Sequence, residues 1–162
     1  MNKNKDINII VATSTNYGLG YDNKMCWNMP DELKKFKEIT STVDDNSKKN
    51  CVIMGKNTWY SLPKRPLINR INIIISSNDY NKIKEELGDN NSNTKVFKNI
   101  EDVFKYVENE DLIESAFIIG FTALGFIICD LGATCLFVPV IFAFTGAVVI
   151  TGLFNFFNVT AF

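Results

Sequence analysis

Four short apolar runs recur along the chain: residues 7–12 (INIIVA), 51–54 (CVIM), 71–76 (INIIIS) and 117–120 (FIIG). Unbroken runs this short, rich in Ile and Val, read as strands buried on both faces. Helical signals separate them. Pro30-Asp31-Glu32 opens a helix that runs to about residue 40, because proline suits the first helical position and acids favour the positive end of the dipole. Residues 56–61 read as a short helix, and Ile100, Val103, Phe104 and Val107 set a helical spacing over 100–108. Residues 95–97 read as a short strand, whereas the stretch 78–93 is polar and variable in character. Strands alternating with helices predict an α/β fold with a mostly parallel central sheet flanked by helices.

The totals narrow the function. The chain has 162 residues, the size of one domain. A net charge of −1 gives no electrostatic case for nucleic acid as a main partner. The absence of His removes the commonest general base and metal ligand, and no metal site is expected. Cys26, Cys51, Cys129 and Cys135 form no CxxC pair and are expected to be buried free thiols. The start, MNKNKDINIIVA, lacks the apolar core and cleavage site of a signal peptide, so a cytoplasmic setting is expected.

Three stretches carry chemistry. Glu32, Phe36 and Ile39 fall at i, i+4 and i+7 on one helix face, with Leu33 beside them. A carboxylate on an apolar face is costly unless used or paired, and burial would make it a proton donor. The bland alternative is an exposed Glu in a first helical turn. Gly55-Lys56-Asn57-Thr58 joins a strand end to a helix start, a ready anion site or an ordinary turn. Ser76 and Ser77 end another strand, where hydroxyls bind phosphates or cap turns. Arg70 could clamp a carboxylate; taken alone it reads as a surface arginine.

Together these residues resemble dihydrofolate reductase. The segments are IIVATSTNYGLGYDNKMCWNMPDELKKFKEIT, CVIMGKNTWYSLPKRPLINRINIIISS and FIIG, covering residues 7–80 and 117–120 in order and spacing. The resemblance implies reduction of 7,8-dihydrofolate to 5,6,7,8-tetrahydrofolate, with NADPH as cofactor, a hydride delivered to C6 and a proton to N5. It puts the active-site carboxylate on Glu32, with a water held near Trp27. It puts Ile10, Val11 and Ala12 on the strand that passes the pterin and nicotinamide. Leu33 and Phe36 match residues packing on the substrate's rings, with Leu62 and Leu67 opposite, and Arg70 matches the partner of its glutamate α-carboxylate. Gly18, Leu19 and Gly20 lie in a stretch resembling the loop that closes over the nicotinamide. Gly55, Lys56, Asn57, Thr58, Ser76, Ser77, Gly120 and Thr122 match cofactor-binding positions, Asn57 replacing a usually cationic residue. A monomer is expected.

The chain then changes character. From Ser115 onward only Asp130 carries a formal charge. Phe121 stands where the family has a second glycine beneath the cofactor, Gly125 where Tyr is usual, and Pro139 where a Thr bonds the active-site carboxylate. Residues 136–141 fall where the family has a central strand, and no match to its final hairpin is found after Phe142. On this reading residues 1–120 form the reductase-like domain and 121–162 an atypical continuation of it. Two alternatives stay open: an altered C-terminus, or a membrane-prone tail spanning residues 131–154 that tethers an impaired reductase-like domain to a membrane or partner. A fragment of a larger protein, such as a fusion to thymidylate synthase, is a further alternative.

Overall fold

The computed structural model describes residues 5–12, 30–88, 91–120, 147–153 and 156–161. At residues 11, 12, 32, 147–153 and 156–161 it describes the backbone. The elements are β1 (Ile7–Ala12), α1 (Pro30–Ser41), β2 (Lys49–Gly55), α2 (Lys56–Ser61), β3 (Ile71–Ile75), α3 (Tyr80–Leu87), β4 (Thr94–Phe97), α4 (Ile100–Asn109), β5 (Ile113–Ile119), β6 (Ala147–Leu153) and β7 (Phe156–Ala161).

One seven-stranded sheet runs in the order β4-β3-β2-β5-β1-β6-β7. The first five strands are mutually parallel. The apolar runs have no polar alternation because both faces of the sheet are covered. Ile9, Cys51, Ile53, Ile73 and Ile118 point to one face and pack with Val103 and Val107 of α4. Ile10, Val52, Met54, Ile74 and Ile119 point to the other, with Trp59 of α2 and Ile83 of α3, while Phe36 and Ile39 of α1 pack against them. Each fully buried Ile or Val contributes roughly 1.5–3 kcal/mol of transfer free energy, so these strands are the most strongly specified part of the fold.

Local chemistry closes the elements. The hydroxyls of Thr40, Ser41 and Thr42 donate back to the carbonyls of Phe36, Lys37 and Glu38, at 2.7, 2.6 and 2.8 Å, and so add a side-chain bond to each of these carbonyls near the end of α1. Asn99 caps α4, its side chain accepting the Asp102 N–H at 2.9 Å.

β2 and β5 begin earlier than the apolar runs at 51 and 117, at Lys49 and Ile113, and the structure differs from the sequence reading in two larger ways. The stretch 78–93 contains a helix, α3, whose only fully buried side chain is Ile83. Its core-facing residues Ile83 and Leu87 stand one turn apart in an otherwise polar stretch, a pattern too short to set a helix apart in the sequence. Beyond Phe142, where the sequence shows no match to the family's final hairpin, β6 and β7 form a hairpin, and β6 pairs antiparallel with β1, Ala12 opposite Ala147. Residues 147–153 of the candidate membrane span are therefore a sheet strand; residues 131–146, including the strand expected at 136–141, lie outside the described residues. Among the described residues no helix is long and apolar enough to cross a membrane.

Candidate functional site

The chain passes from β1 to β2, outward to β3 and β4, then returns to insert β5 between β1 and β2. That reversal makes a topological switch point, where open α/β sheets bind ligands at the carboxyl ends of their strands. Gly120 follows β5 there, with φ +83°. A Cβ on Gly120 would lie 2.2 Å from Thr58 Oγ1. Only glycine lets the end of β5 come this close to the start of α2. Gly55 ends β2 and caps α2 without a side-chain hydrogen bond, and the first turn of α2 holds no acid.

Arg70 lies at the other end of β3, just before its first residue. It is 3% exposed. Its Nη1 donates to Thr40 Oγ1 at 2.7 Å and its Nε to the Ile68 carbonyl at 3.1 Å, and the guanidinium lies 5.9 Å from the centre of the Phe36 ring. Burial pulls its pKa below the ordinary arginine value, yet an arginine stays charged. Among the described residues no acidic side chain pairs with it. A desolvated cation without a counterion is costly, and an incoming carboxylate would relieve that cost.

Asn69 and Asn72 set this geometry. Asn69 takes φ +60°, which Asn tolerates better than most residues, and so turns the chain into Arg70. Asn72, fully buried, accepts the Leu67 N–H at 2.9 Å and donates to the Leu67 carbonyl at 2.9 Å and the Arg70 carbonyl at 3.1 Å. It pins the loop that carries Leu62 and Leu67, both of which pack on the same cluster as Phe36. Leu33, on the first turns of α1, is 49% exposed. The apolar face of α1 is thus only partly covered by protein and remains open at Leu33.

A cleft of about 280 Å³ opens at the carboxyl ends of β2, β3 and β4, lined by Lys56, Asn57, Ser76, Ser77, Asp79 and Lys98 among others. Lys56 Nζ forms an ion pair with Asp79 Oδ2. That hydrogen bond holds the Asp79 carboxyl below the usual carboxylate range. Ser76 Oγ accepts the Asp79 N–H at 3.1 Å. Lys98 lies 5.1 Å from the centre of the Tyr80 ring.

The sequence pattern described as dihydrofolate reductase matches residues 6–126. The chain belongs to the dihydrofolate reductase family. It is 34% identical over 116 residues to the dihydrofolate reductase of Heliothis virescens, covering 70% of this chain and 60% of that protein. With the dihydrofolate reductase of Saccharomyces cerevisiae the identity is 35% over 120 residues, 70% of this chain and 54% of the other. A bifunctional dihydrofolate reductase-thymidylate synthase of Arabidopsis thaliana is 46% identical over 70 residues, 42% of this chain and 12% of that protein. The fold is similar to that of Schistosoma mansoni dihydrofolate reductase, with a TM-score of 0.61, 30% identity, and coverage of 75% of this chain and 64% of that one. The chain thus spans less than two thirds of the length of each of these relatives.

The expected residues divide into three groups. Ile10 is buried at the switch point, and Phe36, Leu62, Leu67 and Arg70 converge below α1. Gly55 ends β2, and Lys56, Asn57, Thr58, Ser76, Ser77 and Gly120 follow the ends of β2, β3 and β5. For Val11, Ala12 and Glu32 only the backbone is described, at the end of β1 and in the first turn of α1; Gly18, Leu19, Gly20, Trp27 and Thr122, with Phe121, Gly125 and Pro139, lie outside the described residues. The structure corrects the reading of Arg70 as a surface residue, because Thr40 and Phe36 cover it. Sequence reasoning missed Asn72, Thr40 and Lys98. A single Asn inside the run INIII was the available signal for Asn72, since Asn is depleted in strands.

Proposed function

We propose that the chain reduces 7,8-dihydrofolate to 5,6,7,8-tetrahydrofolate with NADPH, by hydride transfer to C6 and protonation at N5. The observation that carries this is Arg70: a buried guanidinium without an acidic partner among the described residues, held at the last turn of α1 by Thr40. Glu32 lies eight residues earlier on the same helix, about 12 Å along its axis. An elongated substrate with a ring to be protonated at one end and a carboxylate at the other fits that separation.

The residues present also fit NADPH. Close packing of Gly120 on Thr58 leaves backbone, not side chain, at the switch point. The cleft beyond it offers Lys56, Lys98, Ser76 and Ser77 to phosphate oxygens. When bound, NADPH supplies the hydride. Glu32 hydrogen-bonds the pterin and supports protonation of N5, aided by a water near Trp27. Phe36, Leu62 and Leu67 exclude water from the substrate's rings, with Leu33 closing over them, and strengthen every polar contact inside. Arg70 fixes the α-carboxylate and thereby the register of the ring against Ile10, Val11 and Ala12. Residues 18–20 close over the nicotinamide, and Ala12 and Thr122 line its site. We place residues 121–162 in the same domain as residues 1–120, and the activity in a reducing, cytoplasmic setting, to which the free buried thiol of Cys51 is suited.

Steady-state oxidation of NADPH with dihydrofolate tests the reading. Glu32→Ala should lower turnover at pH 7 by about 10²–10⁴-fold and leave the Kd for NADPH within about twofold. Equal loss of both would make Glu32 structural, and no turnover by the unaltered protein would sink the proposal.

A further inference from the structure

Asp79 stands out in the cleft. Its carboxylate is ion-paired with Lys56. Both partners are partly exposed, at 43% for the Lys56 side chain and 31% for that of Asp79, so neither is locked in by packing. The other cation of the cleft, Lys98, faces a Tyr80 ring and has no acidic partner among the described residues. The cleft therefore offers Lys56 and Lys98 to an anion but sets a carboxylate against one of them.

The position of the cleft tells which anion meets it. Gly120 marks the switch point beside β2. The end of β3, where Ser76 and Asp79 follow, is two strands from β5 in the sheet, about 10 Å. A dinucleotide whose reacting ring lies at the switch point reaches this cleft with its far end, the adenosine ribose. The 2′-phosphate there is the only group that separates NADPH from NADH.

We propose that Asp79 is a specificity-determining residue that weakens the hold on an adenosine 2′-phosphate, by competing for Lys56 and by repelling the phosphate, and so narrows the preference for NADPH over NADH. The inference rests on the cofactor reading above. Asn57 adds to the effect, because the exposed position next to Lys56 supplies no charge. The Asp79 backbone donates to Ser76 whatever the side chain, so removing the charge leaves the turn intact.

Isothermal titration of NADPH, NADH and adenosine 2′,5′-bisphosphate into the full chain and its Asp79→Asn and Asp79→Ala variants tests this, with circular dichroism to confirm folding. Both variants should bind NADPH and the bisphosphate about three- to tenfold more tightly, the size expected for removing one partly screened like charge from a dianion's site. NADH should change less than twofold. Equal tightening for NADH, no change, or weaker binding of the 2′-phosphorylated ligands would overturn the role of Asp79, while normal NADPH binding by the unaltered protein would leave the cofactor reading standing. Failure of all three proteins to bind any of the ligands would overturn both.

Discussion

Two cations serve the site in opposite ways. Arg70 is buried and held by neutral partners, the Thr40 hydroxyl and the Ile68 carbonyl, with no acid beside it among the described residues. Lys56 is half-exposed and already paired with Asp79. The first arrangement keeps a desolvated charge waiting, so an incoming carboxylate gains a strong, charge-assisted pair. The second keeps its charge occupied and solvated, so an incoming phosphate gains only the difference between two screened partners. One end of the site is built for grip and the other for exchange.

The largest expected effect lies at the gripping end. Arg70→Leu should raise the KM for dihydrofolate by about 10²–10³-fold, the loss of a buried, charge-assisted hydrogen-bonded pair. Nicotinamide nucleotide binding should be unchanged. Stability should move by no more than about 1 kcal/mol, because the variant also removes an unpaired buried charge and Thr40 still donates to Phe36. Urea unfolding and steady-state kinetics on one preparation measure both. A large loss of stability would mean that Arg70 is a structural cation, and the contrast with Lys56 would fail.

At the exchanging end the effect is smaller. Lys56→Gln should weaken NADPH about tenfold, one charge-assisted hydrogen bond discounted for exposure, and leave NADH within twofold. Titration of the two nucleotides gives the ratio. A hundredfold loss would show that Lys56 grips as hard as Arg70 does, and equal loss for both nucleotides would put Lys56 elsewhere on the cofactor.

The same contrast explains how much could be read from sequence. The strands were legible because continuous Ile/Val runs have few other fates, and the helix over residues 56–61 was legible from the Gly55 boundary. The burial of Arg70 was not, because it depends on Thr40 and Phe36, thirty or more residues away in the chain and brought over it only by folding. Lys98 was missed for a related reason. It joins Lys56 only because β4 lies beside β3, and β3 beside β2. The last strands were illegible on chemical grounds: the run leading into Ala147–Leu153 is apolar without alternation, and such a run fits a buried strand and a membrane span equally well.

The smallest effect is set by acid. Hydrogen bonds hold three carboxyls below their ordinary values: Asp79 through Lys56, Asp45 through Ser47, and Glu114 through the backbone N–H groups of Asp44 and Asp45. A depressed folded-state pKa means that the unfolded chain binds protons first as pH falls. The stability these groups contribute is therefore complete above their ordinary values of 3.8 and 4.5 and is lost as pH drops through the depressed ones. The melting temperature should stay level from pH 7 to about pH 5 on this account, and then fall. Glu114→Gln should cost about 2 °C at pH 7, as expected of a solvent-accessible carboxylate, and the difference should shrink as pH falls through the depressed Glu114 titration. The Lys56–Asp79 pair sharpens the comparison in the same window. Lowering pH through the Asp79 titration frees Lys56, so preference for a 2′-phosphorylated nucleotide over its unphosphorylated counterpart should rise relative to Asp79→Asn, whose preference has no such component. Arg70 has no carboxylate neighbour among the described residues to titrate, so affinity at that end should follow only the ionisation of the substrate's own carboxylate. Parallel pH profiles at the two ends would erase the distinction between a cation kept waiting and a cation kept occupied.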